Sequence, residues 1–231
     1  MMRSLDVATS LAASGLRLGG GLRVGRLGPR PEQPVELWDF EACPYCRKVR
    51  EALSVLDLQA RIYPCPHGGR RFRPAVRQRG GKTQFPYLVD PNAGVEMYES
   101  EDIVRYLHGR YGAGPLPASF RLGPLWTASS AMATLARPGR GGRVKPSRPP
   151  ERPLELYSFE ASPYCRIVRE ELCALEIPYL LHNVAKGSPS RAAFVERAGK
   201  MQVPYLVDPN TGVSMFESAD ITRYLRDTYM L

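Results

Sequence analysis

Two cysteines separated by two residues, in the run Cys43-Pro44-Tyr45-Cys46, are the side chains of this 231-residue chain best suited to chemistry. A thiolate at the first position attacks a disulfide, and a thiol three residues on attacks the mixed disulfide that results. The leading sulfur gains from its place. It stands between Val35 to Phe40, whose alternation predicts a strand, and Pro44 to about Asp57, where Val49, Leu53 and Leu56 recur at helical spacing. The unsatisfied N–H groups and positive dipole end of a helix start favour thiolate, and Arg47 and Lys48 add positive charge nearby. A dithiol of this spacing could also be half of a zinc site. Such a site needs a second ligand pair, and Cys65 and His67 form no recognised spacing with the first, so redox chemistry with no metal is the expectation.

The block occurs twice. ELWDFEACPYCRKVREAL returns 119 residues later as ELYSFEASPYCRIVREEL, and QFPYLVDPNAGVEMYESEDIVRYL returns as QVPYLVDPNTGVSMFESADITRYL. Ser162 therefore replaces the leading thiol in the second copy, while Cys165 remains. Serine cannot start thiol exchange, although its hydroxyl could hydrogen-bond a bound thiolate, so the second copy is expected to be a scaffold or binding domain. Phe85-Pro86 and Val203-Pro204 each open a later strand. Proline cannot donate to a sheet ladder, and a cis bond there would free the preceding backbone for another chain. Glu99-Ser100 and Glu217-Ser218 precede the last helix of each copy, with Ser100 predicted as its N-cap and the free N–H groups able to hold a carboxylate. Cys65, between two prolines, either exchanges with the dithiol or packs, and Cys173, in a helical apolar stripe, is expected to pack. Five cysteines do not suggest a structural disulfide framework.

Within each copy the elements read βαβαββα. After the first strand and helix come a short strand at 61–63, a basic helix at 70–79 stopped by Gly80-Gly81, strands at 87–89 and 95–98 joined by the turn 90–94, and a helix carrying Ile103, Val104 and Leu107. The crossover rule makes the first two strands parallel. The domains are thus 35–111 and 154–231. Residues 1–34 are rich in Arg, Ser, Ala, Leu and Gly and read as a disordered tail and organelle transit peptide, with chloroplast ahead of mitochondrion or cytoplasm. Residues 112–153 read as a linker. Leu122, Leu125, Trp126, Met132 and Leu135 suggest a short helix covering a core, followed by a flexible basic stretch, RPGRGGRVKPSRPPERP.

The hydrophobic share of 43% and charged share of 24% are those of a globular protein, and no run approaches a membrane span. The net charge of +9 suggests an acidic partner. Its excess, however, lies in the tail and linker, and neither repeat gathers basic and aromatic residues on one face, so nucleic-acid binding is not expected.

Together, CPYC after the first strand, Phe/Val-Pro before the third, and Glu-Ser at the last helix resemble the glutaredoxin and glutathione S-transferase N-terminal version of the thioredoxin fold. The tandem form, with YPCP and VDPN, is similar to two-domain plastid proteins of plants and algae. The resemblance implies an α/β protein of two thioredoxin-fold domains and a glutathione-linked thiol-disulfide oxidoreductase. Cys43 would be the nucleophile and Cys46 the resolving thiol. Glutathione, the co-substrate, would meet Tyr45, the Phe85 backbone, a cis Pro86, Glu99 and Ser100, with disulfide or glutathionylated proteins as partners. The equivalents Ser162, Cys165, Val203, Pro204, Glu217 and Ser218 would be non-redox. Glutaredoxins place a lysine shortly before the first cysteine, whereas this chain has Asp39-Phe40-Glu41-Ala42, leaving Lys82 as the substitute. The resemblance also allows a transferase or isomerase, which would need a helical domain that the linker is too short to supply, or a non-enzymatic binding module.

Overall fold

A computed structural model describes residues 2–121 and 123–231, apart from the side chains of residues 2–4, 118 and 124. Leu122, counted above in the linker's apolar spacing, lies outside them. The first copy comprises β1 (Val35–Asp39), α2 (Pro44–Val55), β2 (Ala60–Pro64), α3 (Arg73–Gly80), β3 (Tyr87–Asp90), β4 (Val95–Met97) and α4 (Ser100–Tyr111), numbered after an N-terminal helix α1 (Met2–Leu16). Between the copies lie α5 (Ala118–Arg121) and α6 (Pro124–Leu135). The second copy repeats the order as β5 (Leu154–Ser158), α7 (Pro163–Ala174), β6 (Tyr179–Asn183), α8 (Arg191–Ala198), β7 (Tyr205–Asp208), β8 (Val213–Phe216) and α9 (Ser218–Tyr229). Both copies are thus the expected βαβαββα.

The local chemistry repeats with the sequence. Pro44 and Pro163 occupy the first turns of α2 and α7, where no N–H partner is lost. Left-handed Gly81 and Gly199 close α3 and α8 by donating to the carbonyls of Arg77 and Val195. In the VDPN turns, Asp90 accepts from Asn92, Tyr106 and Tyr111, and Asp208 from Asn210, Tyr224 and Tyr229, tying each hairpin to its last helix.

Each copy contributes four strands to one sheet ordered β4-β3-β1-β2-β6-β5-β7-β8. The copies meet edge to edge, with β2 antiparallel to β6 and Arg61 opposite Leu180. Val35, Leu37, Val49, Leu53, Ile62, Leu154, Leu156, Val168 and Leu172 join one buried core across that seam. Each such side chain contributes about 1.5–3 kcal/mol on burial.

The segments outside the copies depart from expectation. Within the segment expected to be a disordered tail, residues 2–34 are folded onto the protein, because α1 packs on α7 and on α6 and buries Ser10 and Ala13 completely. Ser10 Oγ donates to the Pro163 carbonyl at 2.8 Å and Ser14 Oγ to that of Ala161. The linker behaves likewise. α6 packs on α2, and Ser130 Oγ donates to the Pro44 carbonyl at 2.7 Å, as Ser10 does in the other half. The duplication therefore reaches beyond the two domains, with α1 serving the second copy as α6 serves the first. The stretch after α6, expected to be flexible, is a fixed strap. Its Gly142 carbonyl accepts from the His67 N–H, its Val144 and Lys145 N–H groups bond the carbonyls of His67 and Ala174, and Arg148 bonds that of Tyr229. Glycine is required there, since a Cβ on Gly141, at φ 62°, would stand 2.8 Å from that of Glu41.

Two arginines of these segments are structural. Arg17 forks onto Glu51 at 2.7 and 2.6 Å, and Arg137 onto Glu170 in the same manner. No described helix is long and apolar enough to cross a membrane.

Candidate active site

Cys43 caps α2. Its φ of −93° and ψ of 120° are those of an extended N-cap residue, and its sulfur accepts from the Cys46 N–H at 3.2 Å. Burial raises the Cys43 thiol. Hydrogen bonds from Cys46, the positive charge of Arg50 and the Tyr45 N–H outweigh that and leave it below its ordinary value. Cys46 moves the opposite way, because burial, its hydrogen bond to Cys43 and the negative charges of Cys43 and Asp39 all favour its protonated form. The pair is therefore split into a readily ionised leading thiol and a protonated second one.

The cation that serves Cys43 is Arg50, in place of the expected Arg47 and Lys48. Lys48 is paired with Glu101 and donates to Thr127 Oγ1 at 2.9 Å. Arg47 is buried with Nε and Nη1 unpartnered, and burial lowers its pKa to about 10. Arg50, two turns inside α2, bonds Asp39, Glu41 at 3.3 Å and, across the seam, Glu160 at 3.1 Å. Arg169 answers from α7, 2.7 Å from Glu41 and 2.8 Å from Glu160. Burial pushes Glu41 up, but Arg169 and Arg50 hold it near 2. Asp39 is carried up to about 6 by burial, with Arg50 opposing and Glu41 reinforcing the rise. These five buried groups form one network beneath the dithiol.

Cys43 is 4% exposed and Cys46 is fully buried, whereas Tyr45 projects outward at 51%. Both proline bonds, Phe85-Pro86 and Val203-Pro204, are cis. Phe85 meets Phe40 edge-on at 6.1 Å, and the Arg73 guanidinium carbon lies 4.7 Å from the Phe85 ring centre. Arg73, which the sequence reading passed over, is thus the cation stacked on the Phe85 side chain, and its Nη1 donates to the Cys65 carbonyl at 2.9 Å. Lys82 lies instead above Tyr98. At the start of α4 the N-cap is Glu99, with φ 65°, ψ 110° and no side-chain capping bond, and Ser100 is the first helical residue. Glu217 and Ser218 repeat this shift by one. Gln84 Nε2 donates to Glu99 Oε1 at 2.6 Å, and Gln202 to Glu217 at the same distance. Both glutamines also escaped the sequence reading, although each stands at a matched place in the repeat.

The second copy keeps the frame and loses the thiol. Ser162 caps α7, and its Oγ accepts from the Cys165 N–H at 3.3 Å, with Cys165 fully buried and Tyr164 47% exposed. Cys65 and Cys173 are buried, and burial raises the pKa of each. The Glu41 N–H bonds the sulfur of Cys173, while in the matched place of the other half the Glu160 N–H bonds Ser54 Oγ at 3.0 Å. That contact supports the packing role expected of Cys173. All five cysteines are free, and among the described residues no group of three or more His, Cys, Asp or Glu is gathered to hold a metal.

The family model for the glutathione S-transferase N-terminal domain matches residues 37–115 and again 156–230. A Bombyx mori glutathione transferase, BmGSTD1, is 24% identical over 39% of this chain and 44% of its own, with a TM-score of 0.34. Leishmania TDR1, a trimeric glutathione transferase, is 13% identical over 84% of this chain and 68% of its own, with a TM-score of 0.29. The chain thus spans less than half of the silkworm protein, and likenesses of this size add nothing to the family match. Comparison with curated proteins finds no match. The two matched segments coincide with the two βαβαββα units, and the chain belongs to the glutathione S-transferase N-terminal domain family, whose domain it carries twice.

Proposed function

We propose that the protein is a glutathione-linked thiol-disulfide oxidoreductase whose redox centre is confined to the first copy. The observation that carries this is the split of the dithiol. Cys43 sits at a helix N-cap with its thiol pKa lowered, and Cys46 one turn inside with its own raised. The Cys43 thiolate attacks a glutathionylated or disulfide substrate, forming one S–S bond as the leaving thiolate departs with the electron pair of the other. Cys46, on losing its proton, attacks the mixed disulfide and releases the second thiol, or glutathione does so in its place. Two glutathione molecules then reduce the Cys43–Cys46 disulfide and leave as glutathione disulfide.

Glutathione's cysteinyl part would pair with the backbone before Pro86, its γ-glutamyl end would meet the N–H groups at Glu99 and Ser100, and Arg73 would face its glycine carboxylate. Tyr45 would form the exposed wall. Ser162 removes the first step from the second copy, which then acts as a binding or supporting domain.

Reduction of a glutathionylated peptide in the presence of glutathione tests this reading. Cys43→Ser is expected to lower the rate about a thousandfold or more, since no other group supplies the nucleophile. Cys46→Ser should keep part of it. Full activity of Cys43→Ser would refute the assignment, and mass spectrometry after oxidation with glutathione should find the adduct on Cys43.

A further inference from the structure

The two copies differ at a second cluster of charge, far along the first helix of each from its N-cap. In the second copy the Glu171 carboxylate of α7 is held by two cations, Lys145 Nζ at 2.9 Å and Arg226 Nη2 at 2.6 Å. The matched places of the first copy hold Gly25, Ala52 and His108. Backbone bonds fix that correspondence. The Gly25 N–H donates to the Val55 carbonyl as that of Lys145 does to Ala174, and the Gly112 N–H to His108 as that of Met230 does to Arg226. Every member of the ion triad is thus shorter in the first copy, and the carboxylate is absent from it.

A cavity of about 240 Å³ opens at these truncations. Gly25, Val55, Pro115 and Pro117 form its apolar walls, and Ala52 lies one turn before Val55 on the same face of α2. Two polar side chains line it. His108 is 8% exposed, and its Nε2 is buried with no hydrogen-bond partner among the described residues. Burial lowers the His108 pKa to about 4, so the ring is neutral near pH 7, and Phe120 lies 5.4 Å from it. A buried ring nitrogen left unpaired costs stability that a bonded ligand restores. Arg26 is exposed at the mouth and forms no ion pair among the described residues. Its stem runs along Gly114, where a Cβ would stand 3.1 Å from Arg26 Cδ.

We propose that this cavity binds a short-chain carboxylate of the size of acetate. Acetate is the part of a glutamate side chain that alanine lacks, so the ligand supplies beside Ala52 the carboxylate that Glu171 supplies in the other half. The His108 Nε2–H donates to one carboxylate oxygen, and the Arg26 guanidinium pairs with the carboxylate from the mouth. Val55, Pro115 and Pro117 enclose the methyl end. The volume falls below the roughly 300–1,000 Å³ of sites for larger molecules, which fits a ligand of this size. Val55 ends α2 at the pole opposite Cys43, so the site is separate from the dithiol and does not rest on its chemistry.

The chain has three histidines, few enough to follow singly in a proton–carbon NMR spectrum of the full chain at pH 7, with His108→Gln assigning the signal of interest. Titration with sodium acetate at constant ionic strength is expected to move the His108 signal saturably in the millimolar range and to leave His67 and His182 in place. Acetamide, of the same shape without the charge, should move none of them. Arg26→Glu should weaken acetate uptake about tenfold or more. Ala52→Glu provides the carboxylate from within, and should shift the His108 signal in the absence of ligand and abolish the response to acetate. Circular dichroism and the melting temperature check the fold of both variants, and the exposed Arg26 position decides the matter if the buried substitution unfolds the chain. The proposal fails if acetate does not move the His108 signal saturably, if acetamide moves it equally, or if folded Arg26→Glu protein titrates like the wild type.

Discussion

The two copies share a backbone plan and differ at a few side chains, and those few decide what each half can do. Cys43 and Ser162 occupy the same N-cap and accept the same N–H bond, at 3.2 and 3.3 Å, so the second copy has lost its thiol without losing the geometry that would activate one. Beneath them, Asp39 of the first copy faces Ser158 of the second, while Glu41 and Glu160, Arg50 and Arg169 are matched. The half with the dithiol is therefore the one with the extra buried acid. The thiol and the carboxylate occur together in one half, and a serine stands in the place of each in the other.

The largest expected effect breaks that symmetry at the arginines. Arg50 serves three carboxylates and Arg169 two. Arg50→Met should cost about 3–5 kcal/mol, since it strands buried charge, and should exceed the cost of Arg169→Met. Urea unfolding of the two variants decides this, and equal losses would mean that the network does not distinguish the halves.

A smaller effect follows from the acids. Glu41, held near 2 in the fold, contributes stability that is present above its ordinary value and lost as pH falls from about 4.5 toward 2. Asp39, raised to about 6, acts with the opposite sign, its contribution being complete below about 3.8 and lost as pH rises through 6. Stability should therefore peak near pH 4 and decline by about 3 kcal/mol toward neutrality on account of Asp39. Asp39→Ser, which installs the residue of the second copy, should flatten that decline. Unfolding free energies at pH 4, 5 and 6.5 would show it, and an unchanged slope would exonerate Asp39.

The smallest effect sharpens the comparison at the caps. Ser162→Cys should leave stability almost unchanged and produce a second low-pKa thiol, because the capping bond is already in place. With Arg169 matched to Arg50 in α7, that thiol should ionise over much the same pH range as Cys43. The pH dependence of alkylation, with each modified site identified by mass spectrometry, would rank the two.

Much of this was legible beforehand. The repeat, the order of elements in each copy, the dithiol at the start of α2 and the prolines opening β3 and β7 follow from periodicity and from residues with narrow roles. The arrangement around them was hidden for identifiable reasons. α1 buries Ser10 and Ala13 and leaves Leu5 and Leu11 exposed, so its composition resembles an unpacked segment. Its kinship with α6 was visible only by aligning RLGGGLRV with RPGRGGRV. Proximity in sequence favoured Arg47 and Lys48 as partners of Cys43, but Lys48 is drawn off by Glu101 and the working cation comes from the buried face of α2. The serine of Glu99-Ser100 suggested a cap because serine caps well, and a left-handed Glu99 took that place instead.

The crossing of α1 onto the second copy sets an order of assembly. During synthesis the first copy can acquire α6 as soon as Leu135 has emerged. α1, made earliest, must wait for α7, about 150 residues later and roughly ten to thirty seconds at ordinary elongation rates. Throughout that interval its Ser10 and Ala13 face is without its partner. On crowded ribosomes the α1 of one nascent chain can reach the α7 of a neighbour, and the product is a swapped dimer in which the contacts of α1 with α7 are made between two molecules.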